Sequence, residues 1–269
     1  MMKNTFYVTT PIYYPNSTPH IGSVYTTLCC DVMARFMRLN GTHVKFLTGT
    51  DEHGQKVEQA ALAQGKSPQD FVDEISDSFR QVLQVYHLTC DDFIRTTEER
   101  HESVVQAFLQ KLYDDDYIYF GEYEGYYCVG CEEYKQTDDL LLGSGEFEGQ
   151  YVCPIHGRPV EVLKEANYFF RMSAFGERLL ELYESQPDFI QSDSLRNEIV
   201  SFVRRGLDDL SISRQSFDWG VRVPWGDKHV FYVWFDALIN YISALGWRAD
   251  EPGELFQKFW PSNHIVGKD

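Results

Sequence analysis

An α/β fold built on a doubly wound parallel sheet is the class this sequence predicts, and three observations carry that prediction. Apolar runs of strand length alternate with amphipathic runs of helix length from Phe6 to Leu112. Loops rich in Gly, Pro, Thr and Asp follow the first two strand-like runs, at the sheet edge where such folds bind ligands. The alternation then breaks near Tyr117 and returns near Val230, which marks a segment inserted into the fold. Strand-helix-strand spacing of this kind calls for parallel pairing with helical crossovers.

Each element has its own signal. Phe6 to Thr9 reads as the first strand. A helix follows from His20 to Leu39, with Val24, Leu28, Val32 and Phe36 at i, i+4 spacing and Asn40-Gly41 as its stop. Val44 to Thr48 is the second strand, running into Gly49-Thr50-Asp51-Glu52-His53-Gly54. Gln55 to Gln64 is a helix stopped by Gly65. Ser67 caps the next helix, with Pro68 in its first turn, and the apolar spacing predicts burial of Phe71, Ile75, Phe79, Val82 or Leu83, and Tyr86. Phe93-Ile94-Arg95 is a short third strand. Thr96-Thr97-Glu98-Glu99 has the form of a capping box opening a helix through Leu112.

Beyond Tyr117 the period shortens to two. Tyr117–Phe120 and Glu122–Cys128 read as short antiparallel strands and Asp138–Gly149 as turns, with helices near Ser173–Ser185 and Asp193–Arg205. Val230 to Leu238 restores a strand running into a helix, and His264 to Asp269 reads as one more strand with its loop begun. The expected division is 1–116 for the first half of the sheet domain, 117–226 for the insertion and 227–269 for the start of the second half.

Bulk properties exclude some classes. At 269 residues and 43% hydrophobic content the chain can bury a substantial core. The start lacks the apolar segment of a signal peptide, and no run approaches the ~20 residues that span a bilayer. A membrane role is therefore not expected, and the cytoplasm, or an organelle matrix, is the expected location. A net charge of −17 argues against non-specific nucleic-acid binding, which needs Lys and Arg against phosphates. Arg204, Arg205, Arg214 and Arg222 are either local contacts or ordinary surface charge. Of six cysteines, Cys29, Cys30 and Cys90 lie in apolar contexts and read as buried thiols, a usage that fits a reducing compartment.

The other three cysteines form a pattern. Cys128-Val129-Gly130-Cys131 and Cys153-Pro154-Ile155-His156 are separated by 21 residues. Two pairs of soft ligands at i, i+3 suit a tetrahedral Zn2+ site, and three thiolates with one imidazole leave no open position, so the metal would be structural. A disulfide or a redox CxxC is the alternative; the CxxH partner and the reducing context disfavour both.

The loops after the first two strands hold the remaining chemistry. His20, Ile21 and Gly22 open a helix just past a strand and a Pro-rich turn. Free N–H groups and the positive dipole end at such a position receive an anion. A histidine there donates to phosphate, or it is a surface residue at a helix start. Asp51 ends the second strand, where it holds a substrate cation or meets the next helix dipole. Trp234, Leu238 and Tyr241 fall at i, i+4 and i+7, a spacing that alone favours core packing.

Thr9 to Ser23, TTPIYYPNSTPHIGS, resembles the HIGH signature of class I aminoacyl-tRNA synthetases, and Pro11-Ile12-Tyr13-Tyr14 narrows the likeness to the methionyl-tRNA synthetase family. The likeness extends to Thr48–Gly54, to the Cys and His pairs of the insertion, to Tyr232–Ala237 and to Gly267-Lys268-Asp269. It implies a Rossmann-like doubly wound parallel sheet interrupted by a zinc-binding insertion domain. It implies a ligase that activates L-methionine with ATP and Mg2+ to methionyl-adenylate and transfers the residue to tRNA(Met). In that scheme His20 and Ser23 serve the triphosphate, Gly22 and Gly267 the adenosine, and Arg214 lies near the phosphates. Ile12, Tyr14, Trp234, Leu238 and Tyr241 line a soft apolar pocket for the thioether, Asp51 holds the α-ammonium and Asp269 completes the amino-acid site. Ser23 departs from the family's second signature histidine and carries no positive charge.

The family's KMSKS signature and helical anticodon-reading domain do not occur within these 269 residues, so this segment alone is expected to turn over little. Two competitors remain. One is another class I synthetase for an apolar amino acid or cysteine, the latter using an open zinc. The other is a non-catalytic zinc- and RNA-binding relative. The oligomeric state is unknown from the sequence.

Overall fold

In the computed structural model residues 4–226 and 228–267 are described. The elements in chain order are β1 (Thr5–Thr9), α1 (Ile21–Leu39), β2 (His43–Thr50), α2 (Gln55–Ala63), α3 (Pro68–Val85), β3 (Asp92–Arg95) and α4 (Glu99–Asp114). Next come β4 (Ile118–Cys128), β5 (Glu133–Lys135), β6 (Leu141–Leu142), β7 (Tyr151–Val152), β8 (Glu161–Phe170), α5 (Gly176–Ser185), α6 (Asp193–Arg204), β9 (Leu210–Ser211) and β10 (Ser213–Arg214). The chain closes with β11 (Val230–Phe231), α7 (Val233–Leu238), α8 (Asn240–Ser243), α9 (Glu254–Phe259) and β12 (Asn263–His264).

β12, β1, β2 and β3 form a parallel sheet in that order. Tyr7 and Val8 show why it is parallel and buried on both faces. The period of two sends Tyr7 to a cluster with Leu47, Ile94, Ala244 and Leu245, and Val8 to a cluster with Cys30, Ala34 and Phe46. The chain runs outward from β1 to β3 and returns to the other side of β1 with β12. The carboxyl ends of β1 and β12 therefore flank a topological switch point.

The i, i+4 row of α1 is not the face that meets the sheet. Ser23, Thr27, Cys30, Asp31 and Ala34 are the buried residues, while Leu28, Val32 and Phe36 point to solvent. Small side chains let the helix approach the sheet closely, and the Thr27 hydroxyl donates to the Ser23 carbonyl while the Asp31 carboxylate accepts from Thr89 and Arg35. In α3, Phe71 and Phe79 are buried and Tyr86, the C-cap, is exposed. The capping box before α4 does not form. Glu98 is the N-cap, and the Thr96 hydroxyl instead accepts from the Glu52 N–H at 2.8 Å.

Between α4 and α7 the strands are antiparallel, in the order β5, β4, β8, β9. The two short strands read before Cys128 are one strand of 11 residues, paired with β8 from Ile118↔Phe170 to Tyr127↔Glu161. Gly121, between the two expected strands, is passed through and pairs with Asn167. This sheet is rooted in a core of Val105, Leu109, Ile118, Ile212, Val221, Val223, Phe231 and Ile239, which joins it to α4 and to the turn after α7.

Candidate active site and metal cluster

Tyr13 ties the first two loops together. Its N–H donates to the Gly49 carbonyl and its carbonyl accepts from the Asp51 N–H, both at 2.9 Å. Its hydroxyl donates to the Ser23 carbonyl at 2.9 Å and meets the Thr27 hydroxyl at 2.7 Å, while its ring stacks on Phe79. Gly49 permits this packing, since a Cβ there would fall 2.0 Å from the Ile94 carbonyl oxygen. The start of α1 and the Asp51 loop are thereby fixed at one edge of the sheet.

His20 is the exposed N-cap of α1. Its Nδ1 accepts from the Gly22 N–H at 3.1 Å, which in a neutral ring leaves Nε2 as the N–H donor. Gly22 has a local task here: a Cβ would meet the His20 ring at 2.8 Å. Ser23 lies nearly buried one residue further on.

Asp51 carries a clear electrostatic signal. Its Oδ1 is buried and has no hydrogen-bond partner among the described residues. Burial first, then the carboxylates of Asp236, Glu132 and Glu52, push its pKa well above the usual range. An acid in such company is a seat for a cation. Two tyrosines feel its charge. Tyr14 is raised by burial, then by Glu132 and Asp51, and Tyr241 is pushed up to about 12 by burial with Asp51 contributing. Tyr241 packs its ring 4.4 Å from that of His264, and Ile12 joins the same cluster.

The other expected residues are more scattered. Trp234 is 51% exposed and Leu238 60%, so the core-packing reading of their spacing fails. Leu238 lines an apolar cleft of about 360 Å³ with Phe108, Phe235, Ile239, Ile242, Trp247, Phe256 and Trp260. Arg214 is buried and its guanidinium faces the rings of Tyr127, Tyr134 and Tyr232 while donating to Ser211 and Ser213. Its contacts thus lie with the antiparallel sheet. Gly267 is exposed beyond β12, and Asp269, expected to complete the amino-acid site, lies outside the described residues.

Sequence reasoning missed the residues that hold the Asp51 loop. Glu52 is buried and accepts from Thr50, Arg95 and Thr97. Asp236 is fully buried between two histidines, His53 Nδ1 at 2.6 Å and His101 Nε2 at 2.7 Å. Burial opposes the charges, but Asp236 raises His53, and the two histidines hold Asp236 below the usual carboxylate value. Trp219 sets its ring edge against His53 and donates to the Glu52 carbonyl. These partners lie 135 to 183 residues apart for Asp236, beyond any spacing rule.

Cys128, Cys131, Cys153 and His156 converge, with one ligand atom from each inside 4.8 Å of the others. Cys131 Sγ lies 3.6 Å from Cys153 Sγ, and His156 Nδ1 is 3.4 to 3.8 Å from the three sulfurs. Zn–S bonds of about 2.3 Å in a tetrahedron require sulfurs about 3.8 Å apart, so the set fits a four-coordinate metal. Burial raises the Cys153 thiol, but hydrogen bonds from His156 and the Ile155 backbone bring it below the usual thiol range, while burial and the neighbouring Cys128 and Cys153 raise Cys131. Gly130 makes room for the imidazole, which a Cβ would meet at 2.7 Å.

The sequence pattern of the family described as tRNA synthetases class I (M) matches residues 6–144 and 146–269. The methionine–tRNA ligase of Streptomyces coelicolor is 54% identical over 98% of this chain and 49% of its own length. That of Rickettsia conorii is 52% identical over 100% of this chain and 51% of its own. The chain thus spans about half the length of the curated relatives it matches. Mycobacterium tuberculosis methionyl-tRNA synthetase in complex with methionyl-adenylate superposes with a TM-score of 0.93 at 43% identity, over 98% of this chain and 51% of that one. Its free form gives 0.80 at 40% identity, over 98% and 50%.

Proposed function

This chain belongs to the methionyl family of class I tRNA synthetases, and from that premise we propose that it carries the site for ATP-dependent activation of L-methionine. One observation supports the reading above others: the buried Oδ1 of Asp51, without a hydrogen-bond partner among the described residues, on a loop that Tyr13 binds to the His20 helix.

The chemistry follows from that arrangement. Asp51 pairs with the α-ammonium of methionine and leaves the substrate carboxylate free. Ile12, Tyr14 and Tyr241 enclose the side chain, with Trp234 and Leu238 as outer walls and Asp269 completing the amino-acid site. His20 Nε2–H and the first N–H groups of α1 donate to the triphosphate of ATP, with Gly22 and Gly267 beside the adenosine and Ser23 beneath. The methionine carboxylate oxygen bonds to the α-phosphorus and the bond to pyrophosphate breaks, giving methionyl-adenylate. Positioning and charge neutralisation supply most of the acceleration in such a step. Arg214 reaches the phosphates only through a change from its present contacts.

Residues 117–226 act as the insertion, with tRNA(Met) approaching it. Zn2+ held by Cys128, Cys131, Cys153 and His156 stabilises the knuckle, and Mg2+ accompanies ATP. A reducing compartment, the cytoplasm or an organelle matrix, suits the free thiols. Calorimetric titration of the 269-residue chain with methionine, leucine, valine and cysteine tests the pocket. Methionine is expected to bind and the others much more weakly; a chain that prefers leucine or cysteine, or binds none, overturns the reading. Homocysteine should be the weakest rejection, since one methylene is worth only about 1–3 kcal/mol.

A further inference from the structure

Glu132 follows directly on the metal ligand Cys131, yet its side chain leaves the knuckle. It is 5% exposed, and its carboxylate accepts from the Tyr14 hydroxyl and from the Lys56 N–H, each at 2.9 Å. Tyr14 stands on the first candidate loop. Lys56 is in the first turn of α2, two residues after Gly54, and Asp51 stands three residues before Gly54. α2 has no capping side chain of its own, because Gly54 is its N-cap. The missing cap comes from Glu132, which lies 76 residues along the chain from Lys56.

Two backbone facts show that this contact is built. Glu132 sits at φ 55°, in the left-handed region that a turn residue without a side-chain task would leave to glycine. Gly54 sits at φ 105°, and a Cβ there would come within 2.8 Å of Glu132 Oε1 and 3.1 Å of the Tyr14 hydroxyl. Both positions are shaped so that the carboxylate can enter between the loops.

We propose that Glu132 is a positioning residue by which the metal knuckle clamps the two loops of the methionine pocket. The proposal rests on the pocket reading given above. Metal binding sets the turn from Cys128 to Cys131, the turn aims Glu132, and Glu132 sets both Tyr14 and the end of the Asp51 loop. The knuckle thereby controls amino-acid affinity with no metal ligand touching the substrate.

The test uses the 269-residue chain loaded with zinc, the variants Glu132→Ala and Glu132→Gln, and three readouts: bound zinc, methionine affinity and hydrogen exchange at the start of α2. Glu132→Ala is expected to keep one zinc, to weaken methionine about tenfold or more, and to speed exchange at Lys56. Glu132→Gln should lose less, since its amide oxygen still accepts from Lys56 and its NH2 can donate to Tyr14. Stripping zinc from the unaltered chain should speed the same amides, which carries the test if the Ala variant does not fold. Unchanged methionine affinity and unchanged exchange in zinc-loaded Glu132→Ala overturn the clamp, as does unchanged exchange on zinc removal. An unaltered chain that binds no methionine overturns the pocket reading instead, and exchange at Lys56 then judges the clamp by itself.

Discussion

The parallel sheet and the Cys and His knuckle meet at one candidate pocket but are held by different forces. The loops of His20 and Asp51 rise from strands whose Tyr7, Val8, Phe46, Leu47 and Ile94 are fully buried. That is a hydrophobic anchor, worth roughly 1.5–3 kcal/mol for each large side chain removed from water. The knuckle has little of this. Leu141, Leu142 and Ile155 are exposed, and β6 and β7 are two residues each. What converges there is three sulfurs and an imidazole. One half of the pocket is thus tied to the core and the other to a cluster of candidate metal ligands, so each should fail separately.

The largest expected effect is on the knuckle. Cys153→Ser, or chelation, should release the metal and open residues 128–156 to limited proteolysis, while the helical circular dichroism of the sheet domain stays. Apparent binding free energies of about 10–16 kcal/mol for structural zinc set the scale. Loss of the helical signal together with the metal would mean that the sheet also depends on it.

The core side has its own weak point in Asp236. Asp236→Ala leaves His53 and His101 buried without their acceptor and should cost about 3–5 kcal/mol in chemical denaturation. The pH dependence has a definite sign. His53 is raised, so its contribution is complete below about pH 6.5 and falls as pH rises through its folded value. Asp236 is lowered, so its contribution is complete above about pH 3.9 and falls as pH drops through its folded value. The network should therefore be strongest between about pH 4 and 6.5, a plateau that the variant lacks.

Asp51 should separate binding from stability. Asp51→Asn is expected to weaken methionine by about 2–5 kcal/mol, as for a buried charge partner, with zinc retained. The free chain should gain about 1 kcal/mol, because a carboxylate raised by burial and three acids opposes folding while ionised. In the parent, stability should rise as pH falls through the folded pKa of Asp51, and the variant should lose that rise. Equal methionine affinity in parent and variant removes Asp51 from the site.

Local chemistry was legible in the sequence and long-range orientation was not. The change of period at Tyr117, the helix start at His20 and the Cys and His pairs are written within a few neighbouring residues each. Tyr13, Glu132 and the Asp236 network act through partners found only when distant segments pack, as between Asp236 and His53. Thr96 shows the competition: the residue that reads as a cap is recruited by the Glu52 backbone. Trp234 and Leu238 show another limit, since a stripe at helical spacing does not say which side meets protein.

α1 states that limit most sharply and yields the smallest expected effect. Its stripe of Leu28, Val32 and Phe36 faces out, while Ala34 is fully buried against Val8 and Phe46. Phe36, at 61% exposed, should cost below about 0.5 kcal/mol when changed to Ala in this chain, against the 3–5 kcal/mol of a buried phenylalanine. Ala34→Leu should cost about 1–3 kcal/mol by wedging the helix off the sheet. The contrast between the two, measured by urea denaturation, reports which face of α1 the sheet holds. If Phe36→Ala proves the costlier change, the helix lies the other way round and the close approach that brings Ser23 to Tyr13 is lost with it.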